Sequence, residues 1–257
     1  MFNGANDSIL YVKLAPKPHK IKKIQELADR VQTIQDIRKR KEAVENPCTC
    51  IGFVHDSMAD GRRVLTTAHG LQHIYSGAHP LTAEKVRLFT ASLVCYHHEE
   101  ARRLAGQPEE ARKYVNADIT AWDSSSDMLL LTVGVQSLKN FHDDGVCTRP
   151  HPSLLVDRSI PRHASHCMMV SWNKLKGSTS SPRDIDMMSA NEMGYKMTLL
   201  EVYIDTQAGM SGAPLLDVHG MVIGMLHGGF GGTHSYFVAS RHFYKWYQST
   251  RGCPRMQ

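Results

Sequence analysis

Residues 205–214 read Asp-Thr-Gln-Ala-Gly-Met-Ser-Gly-Ala-Pro, and an apolar pair at 215–216 follows them. Gly209 and Gly212 flank Ser211, and glycines at such positions predict a tight turn that larger side chains would obstruct. A turn of this kind can project a hydroxyl outward and direct backbone N–H groups at one point, as acyl transfer requires. Ser211 then needs a base, and an acid that orients the base, from elsewhere in the chain.

Two other segments supply a histidine and an aspartate. His69 ends the run Val-Leu-Thr-Thr-Ala-His at 64–69, and Asp127 directly precedes the run Met-Leu-Leu-Leu-Thr-Val at 128–133. A serine hydroxyl is a weak nucleophile at neutral pH, so it needs a base to take its proton. Histidine suits this role because its unperturbed pKa is ~6.5, and a buried carboxylate can fix its tautomer. Taken singly, these residues fit a packing histidine, a turn aspartate and a loop hydroxyl; together they favour a catalytic His69, Asp127 and Ser211.

The pattern along the chain predicts an all-β fold. The 257 residues, with 42% hydrophobic and 21% charged side chains, have the composition of an ordinary globular protein. Many short β-type runs with turn residues between them, and no alternation of strands with helices, indicate an antiparallel sandwich or barrel. Strands are predicted at residues 8–14, 49–55, 62–67, 85–97, 117–122, 128–133, 167–172, 215–217, 221–226 and 236–239, and residues 196–204 lead into the serine turn.

Residues 1–46 are predicted to form a basic N-terminal arm, separate from a domain at 47–257. Apolar residues recur at helical spacing over 21–37 and predict an amphipathic helix, although 31–37 also fits a first barrel strand. The run Arg-Lys-Arg-Lys at 38–41 fits either a nucleic-acid patch or a solvated helix face, and the second is more common. We therefore expect no nucleic-acid partner, and a protein partner of the arm stays open.

Four further segments do not fit the strand pattern. Residues 99–115, rich in Glu, Ala and Arg, predict a partly helical insertion, and the polar, proline-containing segment 138–164 predicts a connection between two halves. The segment 173–193 is expected to be an irregular loop. Aromatic residues at helical spacing in 241–250 predict a closing helix.

Composition argues against several other classes of protein. No apolar run approaches the ~20 residues that span a bilayer, and the first residues lack the pattern of a secretory signal. We therefore expect an intracellular protein with no membrane partner. The six cysteines are too few for a disulfide-built scaffold, and Cys48 and Cys50 are too closely spaced for a Cys-x-x-Cys site. The 15 histidines match no metal-ligand spacing, so neither a metal nor a cofactor is predicted.

The order His69, Asp127, Ser211, in these frames, resembles that of the trypsin/chymotrypsin-like serine proteases over about residues 48–250. Residues 117–133 are similar to the Deg-type members, and the pattern Asp-Thr-x-x-Gly-x-Ser-Gly-x-Pro is similar to that of bacterial glutamyl endopeptidases. No PDZ domain is expected after the protease-like part. The resemblance implies two antiparallel β-barrel lobes with a connection near 138–164, a C-terminal helix, and a serine endopeptidase that acts on proteins or peptides through an acyl-enzyme.

The resemblance also implies roles for residues around the serine. Backbone N–H groups of Gly209 and Ser211 would form the oxyanion hole. Asp205 stands where trypsin carries the aspartate that selects lysine or arginine, but it fits a turn residue equally well. Thr206 and His227 are similar to residues of the glutamyl-specific enzymes, with His227 one position out of register. The segment containing Leu226, His227 and Gly228 would pair with an extended substrate. These alternatives leave open which type of residue precedes the cleaved bond.

Two departures from the family pattern carry implications of their own. Met210 stands where the digestive-type enzymes have the aspartate that pairs with a newly freed N-terminus, so activation by that ion pair is not expected. Gly70 follows His69 where secreted relatives usually have cysteine, which agrees with an intracellular, reducing environment. The alternative to an active protease is a catalytically silent module of this fold that binds peptides, proteins or, through the basic arm, nucleic acid.

Overall fold

The first part of the chain closes into a six-stranded antiparallel barrel in the computed structural model. The structure describes residues 2–59, 61–134, 150–157, 166–171, 174–178, 183–187, 193–229 and 233–251. The barrel strands are β1 (Ile9–Pro16), β2 (Cys48–Ser57), β3 (Gly61–Thr67), β4 (Phe89–Cys95), β5 (Val115–Asp123) and β6 (Met128–Gly134). They follow one another around the barrel in the order β1-β2-β3-β6-β5-β4, and their buried side chains, including Val12, Leu93 and Leu131, fill its interior.

Two helices, α1 (Ile21–Val31) and α2 (Ile37–Glu45), pack on this barrel. Ile24 and Ala28 are fully buried in the same apolar core as the strands. The single helix expected over 21–37 ends at Val31 because Gln32 adopts a left-handed φ of 54°. Asp36 then caps α2 by accepting a hydrogen bond from the Lys39 N–H, so the alternative of a strand over 31–37 is wrong.

The basic run of α2 is largely paired within the helices. Arg40 is buried and lies 3.6 Å from Asp29, and Arg38 and Lys41 pair with acidic residues one turn further along α2. The exposed pairs of Arg38 and Lys41 agree with a solvated helix face, whereas Arg40 packs between α2 and α1. The domain boundary at residue 46 and a protein partner of the arm stay predictions; β1, which precedes that boundary, is a strand of the closed barrel.

The strand expected over 85–97 is divided into three elements. A short helix, α3 (Ala83–Val86), comes first, only Phe89–Cys95 is strand, and the helix α4 (Tyr96–Leu104) follows directly. The Sγ of Cys95 caps α4 by accepting a hydrogen bond of 3.4 Å from the His98 N–H. The first part of the helical insertion expected at 99–115 is therefore the second half of α4.

A second antiparallel sheet contains the rest of the described strands. They are β7 (Cys167–Ser171), β8 (Lys174–Ser178), β9 (Arg183–Met187), β10 (Met197–Val202), β11 (Pro214–Asp217), β12 (Val222–Gly229) and β13 (Ser235–Ala239), in the order β8-β7-β11-β12-β13-β10-β9. The expectation of an irregular loop over 173–193 is thus wrong, because β8 and β9 form the two ends of this sheet. Much of the connection expected at 138–164 lies outside the described residues.

The helix α5 (Ser240–Arg251) is the last described element, and it confirms the helix expected at 241–250. Its buried Phe243 meets Phe53 of the barrel edge to face, with ring centroids 6.4 Å apart, so α5 joins the two sheets. The all-β class with two antiparallel lobes, N-terminal helices and a C-terminal helix is confirmed. Among the described helices, none is both long and apolar enough to cross a membrane.

Glu99 of α4 forms a buried ion cluster with two arginines. Its carboxylate is only 2% exposed and accepts hydrogen bonds from Arg102 and Arg112, with shortest distances of 2.6 and 2.9 Å. Arg112 also stacks over the ring of Tyr11 in β1, with 4.8 Å to the ring centroid. Burial alone would raise the pKa of Glu99, but the arginine hydrogen bonds and charges outweigh it and lower the pKa to about 2. The cluster therefore ties α4 to the barrel wall.

Replacing Glu99 with glutamine should remove the ion-pair partner of Arg102 and leave Arg112 paired with the exposed Glu109. Glu99→Gln is expected to lower the free energy of unfolding at neutral pH by about 3 kcal/mol. Because the folded pKa of Glu99 is depressed from 4.5, its stabilisation is present above pH 4.5 and is lost as the pH falls toward about 2. Urea unfolding at several pH values should show that the difference in the free energy of unfolding between the wild type and Glu99→Gln becomes smaller over that range. The exposed Glu100→Gln should not differ from the wild type in this way. A pH-independent gap would contradict the assignment.

Candidate active site

Asp127 is positioned by the hairpin turn between β5 and β6. The carboxylate of Asp123 accepts hydrogen bonds from the N–H groups of Ser125 and Ser126, at 2.9 and 3.3 Å, and from the Ser125 hydroxyl. Asp127 itself has a positive φ of 53°, which aspartate tolerates better than most residues, and β6 begins immediately after it. The turn leaves the Asp127 side chain fully buried.

His69 is held against Asp127 by both its backbone and its ring. The N–H of His69 donates to Asp127 Oδ1 at 2.6 Å, and the ring Nδ1 lies 2.7 Å from Oδ2. The N–H of Ala68 adds a hydrogen bond to the Asp127 carbonyl, so the end of β3 is fastened to the hairpin. The structure therefore brings together two of the residues expected from the sequence.

His227 makes a contact with Asp127 that we did not anticipate from the sequence. Its Nδ1 lies 2.5 Å from the same Oδ2 atom, and its ring meets that of His69 at 88° with centroids 5.5 Å apart. Along β12 the register with β13 shifts between Leu226 and Gly228, which makes His227 the extra residue of a β-bulge. A bulge can redirect a side chain, so the ring that we expected at the substrate pocket has one nitrogen engaged by Asp127.

The charges at this site favour an ionised Asp127. Burial raises its pKa, but the nearby His69 and His227 and their hydrogen bonds outweigh that effect and lower the pKa below its usual range. Burial lowers the pKa of His69, whereas the charge of Asp127 and the hydrogen bond with it raise the pKa, with a net increase. His69 is thus a stronger base than an isolated histidine, with Nδ1 occupied and Nε2 left for a proton.

Two buried tyrosines form a wall beside the histidines. The ring of Tyr195 meets His227 edge to face at 5.0 Å, and its hydroxyl lies 3.3 Å from that of Tyr75. Burial and the negative charge of Asp127 raise the pKa of both tyrosines, so both stay neutral near pH 7. The wall limits the access of water to the Asp127 side of the site.

The serine turn packs against the end of the first barrel. The Ser211 carbonyl accepts a 2.7 Å hydrogen bond from the Ile51 N–H of β2. Gly212 has a φ of +86°, and a Cβ there would clash with the Ile51 carbonyl oxygen. The Ile51 carbonyl also accepts from the Thr66 hydroxyl at 2.6 Å, and β3 continues from Thr66 toward His69. Ser211 thus adjoins the β2–β3 pair that carries His69, although its Oγ makes no hydrogen bond with His69 or any other described residue.

The amides expected to form an oxyanion hole lie in this turn. Gly209 also has a φ of +86°, in the left-handed region that glycine adopts without strain. Within the described ranges, the N–H groups of Gly209 and Ser211 donate to no protein acceptor, whereas the Met210 N–H donates to the Gln207 carbonyl at 3.1 Å. Two neighbouring amides with unused donors, beside a half-buried serine, suit the binding of an anion.

The residues expected to set specificity separate into two groups. Asp205 is exposed. Thr206 is half-buried, and its hydroxyl lies 2.8 Å from the Ser235 hydroxyl, which donates to the Ile204 carbonyl at 2.7 Å. Gly229 is so close that a Cβ on it would lie 2.7 Å from Thr206 Oγ1. Thr206 therefore faces the end of β12 together with Ser235, a residue that no sequence motif indicated.

The strand expected to pair with substrate is partly occupied by the serine turn. The Leu226 N–H donates to the Ala213 carbonyl, and the Leu226 carbonyl accepts from the Gly212 N–H, both at 2.8 Å. On the edge of β12 that faces β11, the described strand pairing extends to Met225. No described strand pairs with this edge from His227 to Gly229. Backbone pairing with a peptide is therefore open from His227 onward but not at Leu226.

Several solved structures of other proteins have a similar fold. No family model and no curated protein sequence matches the chain. The crystal structure of Deg5 has a TM-score of 0.58 and 16% identity, covering 95% of this chain and 89% of that one. The active form of the Rv3671c protease from M. tuberculosis has a TM-score of 0.56 and 15% identity, covering 98% and 83%. The inactive form of that protease has the same TM-score and 13% identity, covering 98% and 92%. The chain therefore has the trypsin-like serine protease fold that the triad frames led us to expect.

Removing the second imidazole should change the titration of the first. His227→Leu deletes one N–H donor to Asp127, so the carboxylate charge acts more strongly on His69 and the pKa of His69 should rise further. NMR titration of the imidazole signals would measure the shift, with the exposed His219→Leu as control. His227→Gln, whose amide can also donate, should restore much of the original titration. An unchanged pKa of His69 in His227→Leu would contradict a shared carboxylate.

Proposed function

We propose that this protein is a serine endopeptidase that hydrolyses peptide bonds through an acyl-enzyme on Ser211. The observation that carries the proposal is the double hydrogen bond from His69 to the buried carboxylate of Asp127. That pairing directs Nε2 away from Asp127 and leaves it as the basic nitrogen. Protease-fold neighbours and a serine turn with unused amides support the same conclusion.

In the proposed reaction, the Ser211 Oγ attacks the carbonyl carbon of the scissile bond while its proton passes to His69 Nε2. The carbonyl oxygen becomes an anion and accepts hydrogen bonds from the Gly209 and Ser211 N–H groups. The proton on His69 then passes to the leaving nitrogen, the C–N bond breaks, and an ester to Ser211 remains. Water repeats the sequence, with its proton again taken by His69, and releases the second product.

Asp127 and His227 have supporting roles in this scheme. Asp127 keeps the His69 proton on Nδ1 and stabilises the imidazolium that forms during each step. His227 donates to the same carboxylate and restrains it, so we describe His227 as a positioning residue. The proposal requires Ser211 Oγ to approach His69 Nε2 when substrate binds, and catalytic hydrogen bonds often tighten only at that stage.

The substrate would lie as an extended strand along the open edge of β12 from His227 to Gly229. The side chain before the scissile bond would then enter beside Thr206, whose half-buried hydroxyl would offer a polar contact and is held by the fully buried Ser235. Asp205 lies on the exposed side of this turn, and its charge is not needed by the proposal. Protein or peptide substrates with a polar residue at that position are the class we propose.

A fluorophosphonate probe tests whether Ser211 is a nucleophile. The wild type should be labelled, and Ser211→Ala should lose labelling and about 10⁴-fold or more of peptide hydrolysis. Ser57→Ala, at an exposed serine outside the site, is the matched control and should behave as the wild type. If the wild type is not labelled although His69 still titrates as a partner of Asp127, the chain is a catalytically silent binding module.

The pH dependence tests the role of His69 separately. Because Asp127 raises the pKa of His69 above 6.5, the value of kcat/KM should fall as the pH decreases through that raised pKa, when His69 becomes protonated. Asp127→Asn should reduce kcat by about 10⁴-fold and move the acid limb to lower pH, because the charge that raises the pKa is lost. An acid limb that does not move in Asp127→Asn would contradict His69 as the base.

A further inference from the structure

A second cluster of ligand-type side chains lies where three segments of the chain meet. Cys95 ends β4, His97 lies in the first turn of α4, and His151 belongs to the described segment 150–157. All three side chains are buried, and the Cys95 Sγ and one nitrogen of each ring lie within 4.8 Å of one another. The active-site scheme uses none of them.

Asp7 orients both histidine rings. His97 Nε2 lies 2.5 Å from the Asp7 carboxylate, and His151 Nδ1 lies 2.7 Å from the Asp7 carbonyl oxygen. Because each ring donates one N–H to an oxygen of Asp7, its other nitrogen carries a lone pair. A carboxylate or carbonyl behind the imidazole is the usual arrangement for a metal-binding histidine, since it fixes the tautomer and raises ligand basicity.

The sulfur of Cys95 is the third ligand-type atom of the cluster. It caps the N-terminus of α4 by accepting a hydrogen bond from the His98 N–H. One thiolate and two imidazoles form a donor set that suits zinc better than the oxygen-preferring magnesium or calcium ions.

We propose that Cys95, His97 and His151 bind a zinc ion, with Asp7 holding the two histidines from behind. Metal–ligand bonds of about 2.0 to 2.3 Å in a tetrahedron place the ligand atoms about 3.3 to 3.8 Å apart. The three ligand atoms lie within 4.8 Å of one another, so side-chain movements of about 1 Å would bring them to the distances of a zinc site. A water molecule would complete the tetrahedron. The site is independent of the proposed protease activity.

The ion would join segments that also meet through hydrogen bonds and through the stacked rings of His97 and His151. Ser8 donates to the Pro152 carbonyl at 2.7 Å, and Arg62 of β3 donates to the His151 carbonyl at 3.2 Å. The same segment continues to Leu154, whose N–H donates to Val54 of β2, and to Val156, which bridges to β12. Zinc at His151 would therefore fix the chain that runs between the barrel and the strand carrying His227.

Metal analysis of the wild type gives the first test. The chain, purified without a polyhistidine tag, should retain about one equivalent of zinc, and its X-ray absorption spectrum should show one sulfur and two imidazole nitrogens around the ion. Cobalt substitution should produce the charge-transfer band of a thiolate ligand. Removal of zinc by a chelator should lower the melting temperature, and added zinc should restore it. Folded protein without zinc, or a ligand shell without sulfur, would overturn the proposal.

Variants locate the ion. Cys95→Ser and His151→Gln should lose zinc, whereas Cys48→Ser, at a half-buried thiol outside the cluster, and the exposed His219→Gln should keep it. His69, Asp127 and His227 form a second group of possible ligands. His227→Gln removes one of them, and it should keep zinc because the proposed ion lies at Cys95, His97 and His151. Full zinc content in Cys95→Ser would overturn the assignment. If the cluster variants do not fold, the ligand shell of the wild-type protein decides the question.

Discussion

The buried carboxylate of Asp127 is the constraint on which the arrangement of the site depends. An ionised group that is fully removed from water is tolerated only when hydrogen-bond donors and opposite charge surround it. Here the donors come from three places: the His69 backbone, the His69 ring and the His227 ring. Because His69 follows β3 of the first barrel and His227 lies on β12 of the second sheet, satisfying this charge fixes the two lobes relative to each other.

The use of a second imidazole has a chemical consequence. An aspartate that shares one oxygen between two ring nitrogens distributes its charge over both, so its effect on the basicity of His69 depends on His227. The β-bulge at His227 is what makes this possible, since a regular strand would point alternate residues to opposite faces and leave this ring elsewhere. The bulge in β12 therefore affects the basicity of His69, because it places the His227 ring against Asp127.

Much of the fold could be predicted from the sequence, because buried strands such as β6 are runs of apolar residues and Ser211 lies in a recognisable glycine turn. The strands β8 and β9 could not, because Lys174–Ser178 and Arg183–Met187 are polar segments at the ends of a sheet, where pairing with a neighbour decides the structure. The bulge at His227 depends on the register between β12 and β13, which no local pattern encodes. Ser235 was missed for a similar reason, because its partner Thr206 is distant in sequence.

The same limitation applies to Cys95, His97 and His151, whose spacing matches no metal motif because the fold, rather than a single turn, gathers them. Asp7 is still more distant from His151 along the chain, yet one residue orients both rings through two different oxygen atoms. Asp7 and Asp127 are alike in that each contacts two histidines from separate segments, Asp127 through one carboxylate oxygen and Asp7 through its carboxylate and its backbone carbonyl. In both groups one aspartate contacts imidazoles that are far apart in sequence, so the pairing of strands, and not local spacing, brings these side chains together.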